Sequence, residues 1–278
     1  MKKFTTLLFS LFFLTNYAQV ENRASLFYTY FAPAGGDNLN TINQSNVDFN
    51  YFLKSKIIAK KVRWDNSFAY KTLFFDGDIS RNFHDLSYSS SFIYTKNLKN
   101  FIIGNVRLNY RSEMTRDLAI DALFPAVSAG YMRQSQTNKS LRWGLGVQYN
   151  NDFGKNVIIP FGIINYENQK MKFNATLPSS VLLLYKREKY NYGFNLLINP
   201  AIFQTHDLDD EKIKMLNVNL FAFTQFKLYD KLWLDVKPGV TLRRDLDFLD
   251  SGFNVLPVIG ENRIDPHFVF SVGLLYRM

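Results

Sequence analysis

Residues 141–150 read "LRWGLGVQYN". Leu141, Trp143, Leu145, Val147 and Tyr149 are apolar or aromatic, whereas Arg142, Gly144, Gly146, Gln148 and Asn150 are polar or small. On a helix, turning by about 100° per residue, apolar side chains at every second position would scatter around the whole cylinder. A strand sends alternate side chains to opposite faces, so this stretch is a strand with one wholly apolar side. Two environments accept such a strand. In a soluble sheet the apolar side meets a core; in a membrane barrel it meets lipid while the polar side lines the interior.

The alternation recurs in "KVRWDNSFAYK" (61–71), "FIIGNVRLNYR" (101–111), "YNYGFNLLIN" (190–199), "LNVNLFAFTQFKL" (216–228) and "LWLDVKPGVTLR" (232–243). These segments run ten to thirteen residues. Soluble strands average about 5–6 residues, and a strand tilted across a bilayer needs about 9–11. The pattern predicts strands near 24–32, 44–55, 57–75, 83–96, 99–112, 122–134, 139–150, 155–166, 169–177, 180–187, 189–202, 213–228, 231–244 and 265–278. The fold class is therefore all-β, a transmembrane antiparallel up-and-down β-barrel of about 14 strands, or 12 if 169–187 is one bent strand. The intervals agree: one side carries the longer connections, and the other carries tight turns such as "KSK" near 54–56, the asymmetry of such barrels. The link at 178–179 is a short exception on the long side. Pro160 and Pro238 fall inside expected strands, and proline lacks a ladder N–H, so bulges or shifted strand ends are expected there.

Composition supports the lipid-facing choice. Aromatics reach 17% of residues, as aromatic girdles require, and there is no cysteine, which excludes disulfides, thiolate metal sites and cysteine nucleophiles. Residues 1–19 have the form of a secretory signal peptide: Lys2 and Lys3, the apolar run "FTTLLFSLFFL", then a small residue, Ala18. That run is too short to span a bilayer, which takes about 20 residues. Its removal lowers the formal charge from +9 by the two lysines, to +7. Residues 20–278 form the barrel domain. An exported basic protein is a poor nucleic-acid binder, so no nucleic-acid partner is expected. The short interval between signal and first strand predicts no plug domain, and the chain's end at residue 278 predicts no appended domain.

The final segment, "HFVFSVGLLYRM" (267–278), places Phe268, Phe270, Val272, Leu274, Tyr276 and Met278 on one face. It resembles the C-terminal assembly signal of bacterial outer-membrane β-barrel proteins, with an aromatic third from the end. It departs from that signal at Met278, where Phe or Trp is usual. Taken whole, the chain resembles an uncharacterised outer-membrane β-barrel family of the Bacteroidetes type, to whose exported proteins the signal ending Tyr17-Ala18-Gln19 is similar. The resemblance implies the bacterial outer membrane as location, outer-membrane lipid and lipopolysaccharide as surroundings, and the barrel-assembly machinery as partner. It names no substrate or cofactor and no oligomeric state.

Fourteen strands at about 4.8 Å spacing and about 40° tilt give a backbone radius of about 14 Å and a lumen of about 8 Å radius. The polar faces should line it with Lys61, Arg63, Asp65, Lys71, Asp85, Arg107, Arg111, Arg142, Asp235, Lys237 and Arg243. An excess of cations would favour anions; alternatively the charges pair and brace a plugged interior. His84 and Ser87 are three apart and so face opposite ways on a strand, which disfavours a local hydrolase pair. "HDLDDEK" (206–212) carries four carboxylates without the glycine and distal glutamate of a calcium loop, and reads as a solvated loop. "DGD" (76–78) reads as a turn. The leading function is a non-enzymatic passive channel or binding barrel for small solutes, with an anion leaning. A lipid- or lipopolysaccharide-acting barrel enzyme and a closed interaction barrel are the alternatives.

Overall fold

The computed structural model describes residues 23–35, 42–53, 55–58, 61–77, 80–97, 99–114, 120–153, 155–205, 212–250, 252–255 and 261–277. The signal segment 1–19, the acidic residues of the 206–211 loop and Met278 lie outside the described residues. Sixteen strands follow in order: β1 (Ala24–Ala34), β2 (Ile42–Phe52), β3 (Lys56–Ile58), β4 (Val62–Gly77), β5 (Asn82–Asn97), β6 (Asn100–Ser112), β7 (Leu123–Gln134), β8 (Leu141–Asn150), β9 (Val157–Glu167), β10 (Met171–Leu177), β11 (Ser180–Lys186), β12 (Tyr190–Gln204), β13 (Lys212–Lys227), β14 (Leu232–Leu249), β15 (Glu261–Ile264) and β16 (His267–Tyr276). A single 3-10 turn, Ile120–Ala122, precedes β7.

Successive strands pair antiparallel, and β1 pairs with β16 from Ala24↔Tyr276 to Phe31↔Val269, closing the sheet. Two of the sixteen are continuations. β3 extends β2 along β4 after a one-residue shift, and β15 extends β16 along β14 in unbroken register (Arg244↔Ile264, Thr241↔His267). The ring is a closed antiparallel barrel of fourteen strands. The turn expected near 54–56 is corrected: Lys56, Ile57 and Ile58 are still paired along β4, up to Ile58↔Val62.

Exposure distinguishes the two environments open to such a strand. On β8, Leu145 is 68% exposed and Val147 53%, so the apolar side meets the surroundings and the small side meets the lumen. Tyrosines collect near the short-turn rim, where Tyr185 and Tyr192 of adjacent strands stack at 5.4 Å, as an interfacial girdle does. Leu274 and Tyr276 of the terminal strand are likewise exposed.

The inner-face glycines of β8 have a packing reason. A Cβ on Gly146 would sit 2.3 Å from the Phe161 ring and 2.5 Å from the Ala129 carbonyl oxygen, because Phe161 of β9 lies flat across the wall. Gly273 accommodates Phe27 in the same way, at 2.2 Å. Gly146→Val is expected to cost about 1–3 kcal/mol by overpacking, read as a lower urea midpoint of the folded band in heat-modifiable electrophoresis. Phe161→Ala in the same chain should recover part of the loss.

Neither Pro160 nor Pro238 produces a bulge. Pro160 stays in register opposite Val147, and its missing N–H lies on the β10 side, at a height that β10 is too short to reach. Pro238 stays in register opposite Phe270, and on its other side the β13 ladder is interrupted between Phe221↔Gly239 and Thr224↔Val236. The one-residue shift on β14 lies instead between Val218↔Arg243 and Asn219↔Thr241.

Candidate functional site

At the long-loop end the barrel is pinched shut. Inward side chains from seven strands, Ile42, Leu73, Phe75, Phe83, Phe203, Ile213, Met215, Leu246, Phe248 and Ile264, form one buried apolar cluster, each at most 6% exposed. β5 and β12 stand half a ring apart, yet the rings of Phe83 and Phe203 meet at 5.2 Å. The backbone closes the same seam: Ser112 at the end of β6 bridges Gln204 at the end of β12. Arg244 lies fully buried beneath this cap, donating to the Gln44 carbonyl oxygen and facing Phe31 and Phe75 at 5.5 and 5.6 Å. The aromatic faces and the Gln44 side-chain oxygen compensate this burial only in part, since Arg244 Nε and Nη1 are buried without a hydrogen-bond partner among the described residues.

Below the cap is a cavity of about 600 Å³. Its wall is rich in neutral amides: Asn46, Asn50, Gln148, Asn150, Asn195, Asn199, Asn217 and Asn219. Phe27, Phe31, Phe161 and Phe221 supply apolar surface beside them. An amide offers two donors and an acceptor without net charge, so this lining suits uncharged hydrogen-bonding groups.

The charges in the cavity neutralise one another. Arg111 donates from Nε to Asp85 at 2.8 Å and from Nη1 to Asp152 at 2.6 Å, and Arg107 donates to the other Asp152 oxygen at 2.8 Å. Asp152 and Phe153 belong to the connection after β8, which folds into the lumen to make this contact. Lys71 faces Asp48 at 3.8 Å, and Lys237 faces Asp235 at 3.3 Å. The lining holds four cations (Lys71, Arg107, Arg111, Lys237) and three anions (Asp48, Asp85, Asp152), a formal +1 that Asp235 cancels.

Of the eleven residues expected in the lumen wall, Lys71, Asp85, Arg107, Arg111 and Lys237 border this cavity, and Asp235 is buried behind Lys237 and Gln225. Arg63, Asp65 and Arg142 sit toward the short-turn end, Arg63 paired with Asp65 at 2.8 Å and Arg142 over the Phe101 ring at 5.5 Å. Lys61 belongs to the exposed turn before β4 rather than to the wall. Arg243 is a correction. The shift on β14 reverses which side chains face inward beyond Thr241, so Arg243 points out and pairs with Asp245 at 2.7 Å, while Arg244 takes the inward place. Asp48, Asp152 and Arg244 were not singled out from sequence. The first sits on a strand read only for its pattern, the second in a loop, and the third behind the bulge.

His84 lies on the outer face, stacked on Tyr70 with Nδ1 2.8 Å from the phenol oxygen, while Ser87 turns inward to Asp85 and Asn109. The two are on opposite faces of β5, as their spacing requires. His267 points inward, with Nδ1 2.7 Å from the Asp265 carbonyl oxygen. Among the described residues no cluster of histidine and carboxylate side chains could hold a metal ion.

Solved structures with a similar fold include an outer membrane channel from Pseudomonas putida F1 (11% identity, 94% of this chain and 97% of that one, TM-score 0.46). Two others are the NanC porin (7% identity, 92% and 100%, TM-score 0.40) and the KdgM porin (10% identity, 91% and 99%, TM-score 0.35). No curated protein matches the sequence. The family described as "Domain of unknown function (DUF6268)" matches residues 108–277, more than half of the 278 residues, and the chain belongs to that family.

Proposed function

We propose that this protein is a non-enzymatic outer-membrane barrel that holds small uncharged or zwitterionic molecules in its lumen and passes them passively. The observation that carries the reading is the amide-lined cavity of about 600 Å³ enclosed by a closed fourteen-strand wall. Self-paired charge favours neutral cargo over the anions expected from the raw excess of lysine and arginine. The signal segment, the exposed apolar belt and the tyrosine girdle support export and insertion into the outer membrane, with lipid and lipopolysaccharide around the wall. The terminal strand supports delivery by the barrel-assembly machinery. The separation of His84 from Ser87 weighs against a barrel hydrolase built on that pair.

Ion selectivity in planar bilayers tests the reading. With the cap opened by substitution, a potassium chloride gradient should give a chloride-to-potassium permeability ratio within about twofold of one, since the lining charges cancel. Strong anion selectivity would restore the cationic reading. Folded, cap-opened protein that never conducts would overturn passage.

A further inference from the structure

The barrel wall is not of even height. β10 and β11 have seven residues each, whereas β12, β13 and β14 have fifteen to eighteen. Seven residues at about 3.4 Å and about 40° tilt rise about 18 Å, short of the roughly 25 Å apolar band of such barrels. The β10–β11 hairpin tip, Pro178–Ser179, therefore ends within the lipid layer. Above it, β9 has no β10 partner before Gly162, and β12 has no β11 partner after Leu197 apart from the bond of the Ile198 N–H to Ser179. Higher up β12 meets β6 through the Ser112–Gln204 bridge, and the Ile120–Ala122 turn lies against both strands, so the opening is confined to the level of Ile198 and Pro200.

The sequence provides for this gap. Register and the flanking backbone bonds place the missing N–H of Pro160 on the β10 side of β9, and that of Pro200 on the β11 side of β12. Pro125 likewise faces the β8 side of β7, just above the last β7–β8 pair at Val127. Each proline removes a donor where no strand is present to accept it. A closed ladder would place them at a cost, and an edge does not.

The cavity reaches through the wall at this place. Ile198 and Pro200 occupy outward positions on β12, yet they border the same cavity as inward Phe27 of β1, four strands away round the ring. Pro178, Ser179, Phe153 and Ile159 complete the rim.

We infer that the gap above the β10–β11 hairpin is a lateral portal through which membrane-partitioned small molecules with uncharged hydrogen-bonding heads reach the amide-lined lumen. The inference rests on the reading that the lumen holds small molecules, and it names their route and class. The apolar rim admits the tail of such a molecule, the asparagines receive its head, and the cap bars the axial path.

The chain has no cysteine, so single cysteines report position cleanly. Ile198→Cys (rim), Leu145→Cys (outer wall) and Asn46→Cys (lumen) are each labelled with bimane in liposomes. Quenching is measured with acyl-brominated phospholipid and with aqueous iodide, then hexyl-β-D-glucoside is added. The expected result is lipid quenching at position 198 at least about half that at 145, none at 46, and a glucoside-dependent spectral change at 198 and 46. Lipid quenching at 145 but not at 198 would overturn the portal, as would quenching at 198 with no glucoside response at either inner site. If Ile198→Cys fails to fold, Ser179→Cys on the exposed hairpin tip carries the same readout. The portal and passage fail separately: quenching at 198 alongside a silent cap-opened barrel refutes passage and leaves the portal as the mouth of a binding pocket.

Discussion

Phe83→Ser with Phe203→Ser is expected to raise the conductance of single barrels in planar bilayers at least about tenfold over a nearly silent wild type. These two rings make the contact that joins opposite walls of the pinched end. With both removed, the ring contact across the seam is lost while the Ser112–Gln204 bridge stays, and water from the cavity below can enter the space the rings filled and reach the loops. Truncating a buried phenylalanine in a dry core costs about 3–5 kcal/mol, much of it from the void left behind. Here the void joins a polar lumen and fills with water, so the loss should be smaller, and the ladders of the fourteen strands are untouched. Heat-modifiable electrophoresis checks folding independently. A folded double variant no more conductive than wild type would show that the cap is not the barrier.

Asp152→Asn should have the second large effect, on charge and on the inward connection together. Asp152 is almost fully buried and takes both Arg107 and Arg111. Removing one partner of a buried pair costs about 3–5 kcal/mol because the other charge stays desolvated and unpaired. The isosteric amide leaves the two guanidiniums with Asp85 alone, a local gain of one positive charge. In the cap-opened background the chloride-to-potassium ratio should climb above about three. Protease cleavage near Asp152 should accelerate as its connection leaves the lumen. Asp152→Glu, which keeps the charge, should change selectivity little; an Asp152→Asn barrel with unchanged selectivity would mean that the pairing does not govern the lumen field.

Much of this was legible in the residue order. Period-two alternation located the fourteen barrel strands because each must present lipid on one side and lumen on the other along its whole length. The misreadings have local causes. On β14 the alternation of "RRDLDFL" (243–249) is inverted relative to the residues before it, so the strand seemed to end at 244. The bulge near Arg243 turns every later side chain over, which carried Leu246 and Phe248 into the cap and Arg243 out of the lumen. The polar cluster "KSK" resembles a turn, although pairing along β4 runs on from Lys56 to Ile58. Pro160 looked anomalous only while every strand was taken to have two neighbours.

Sequence alone determined the barrel and its two faces, because those depend on periodicity along one segment at a time; it left the strand number at fourteen or twelve, and the separate pairing of β10 and β11 decided it. Tertiary structure alone decided that the inner face is dry at one end, that its lysines and arginines are already neutralised, and that the wall drops between β9 and β12. Each depends on which residues of non-neighbouring strands arrive at the same height, as Phe83 meets Phe203 and Arg111 meets Asp152. That coincidence is set by strand length, tilt and closure of the ring, and no single stretch of the chain contains it.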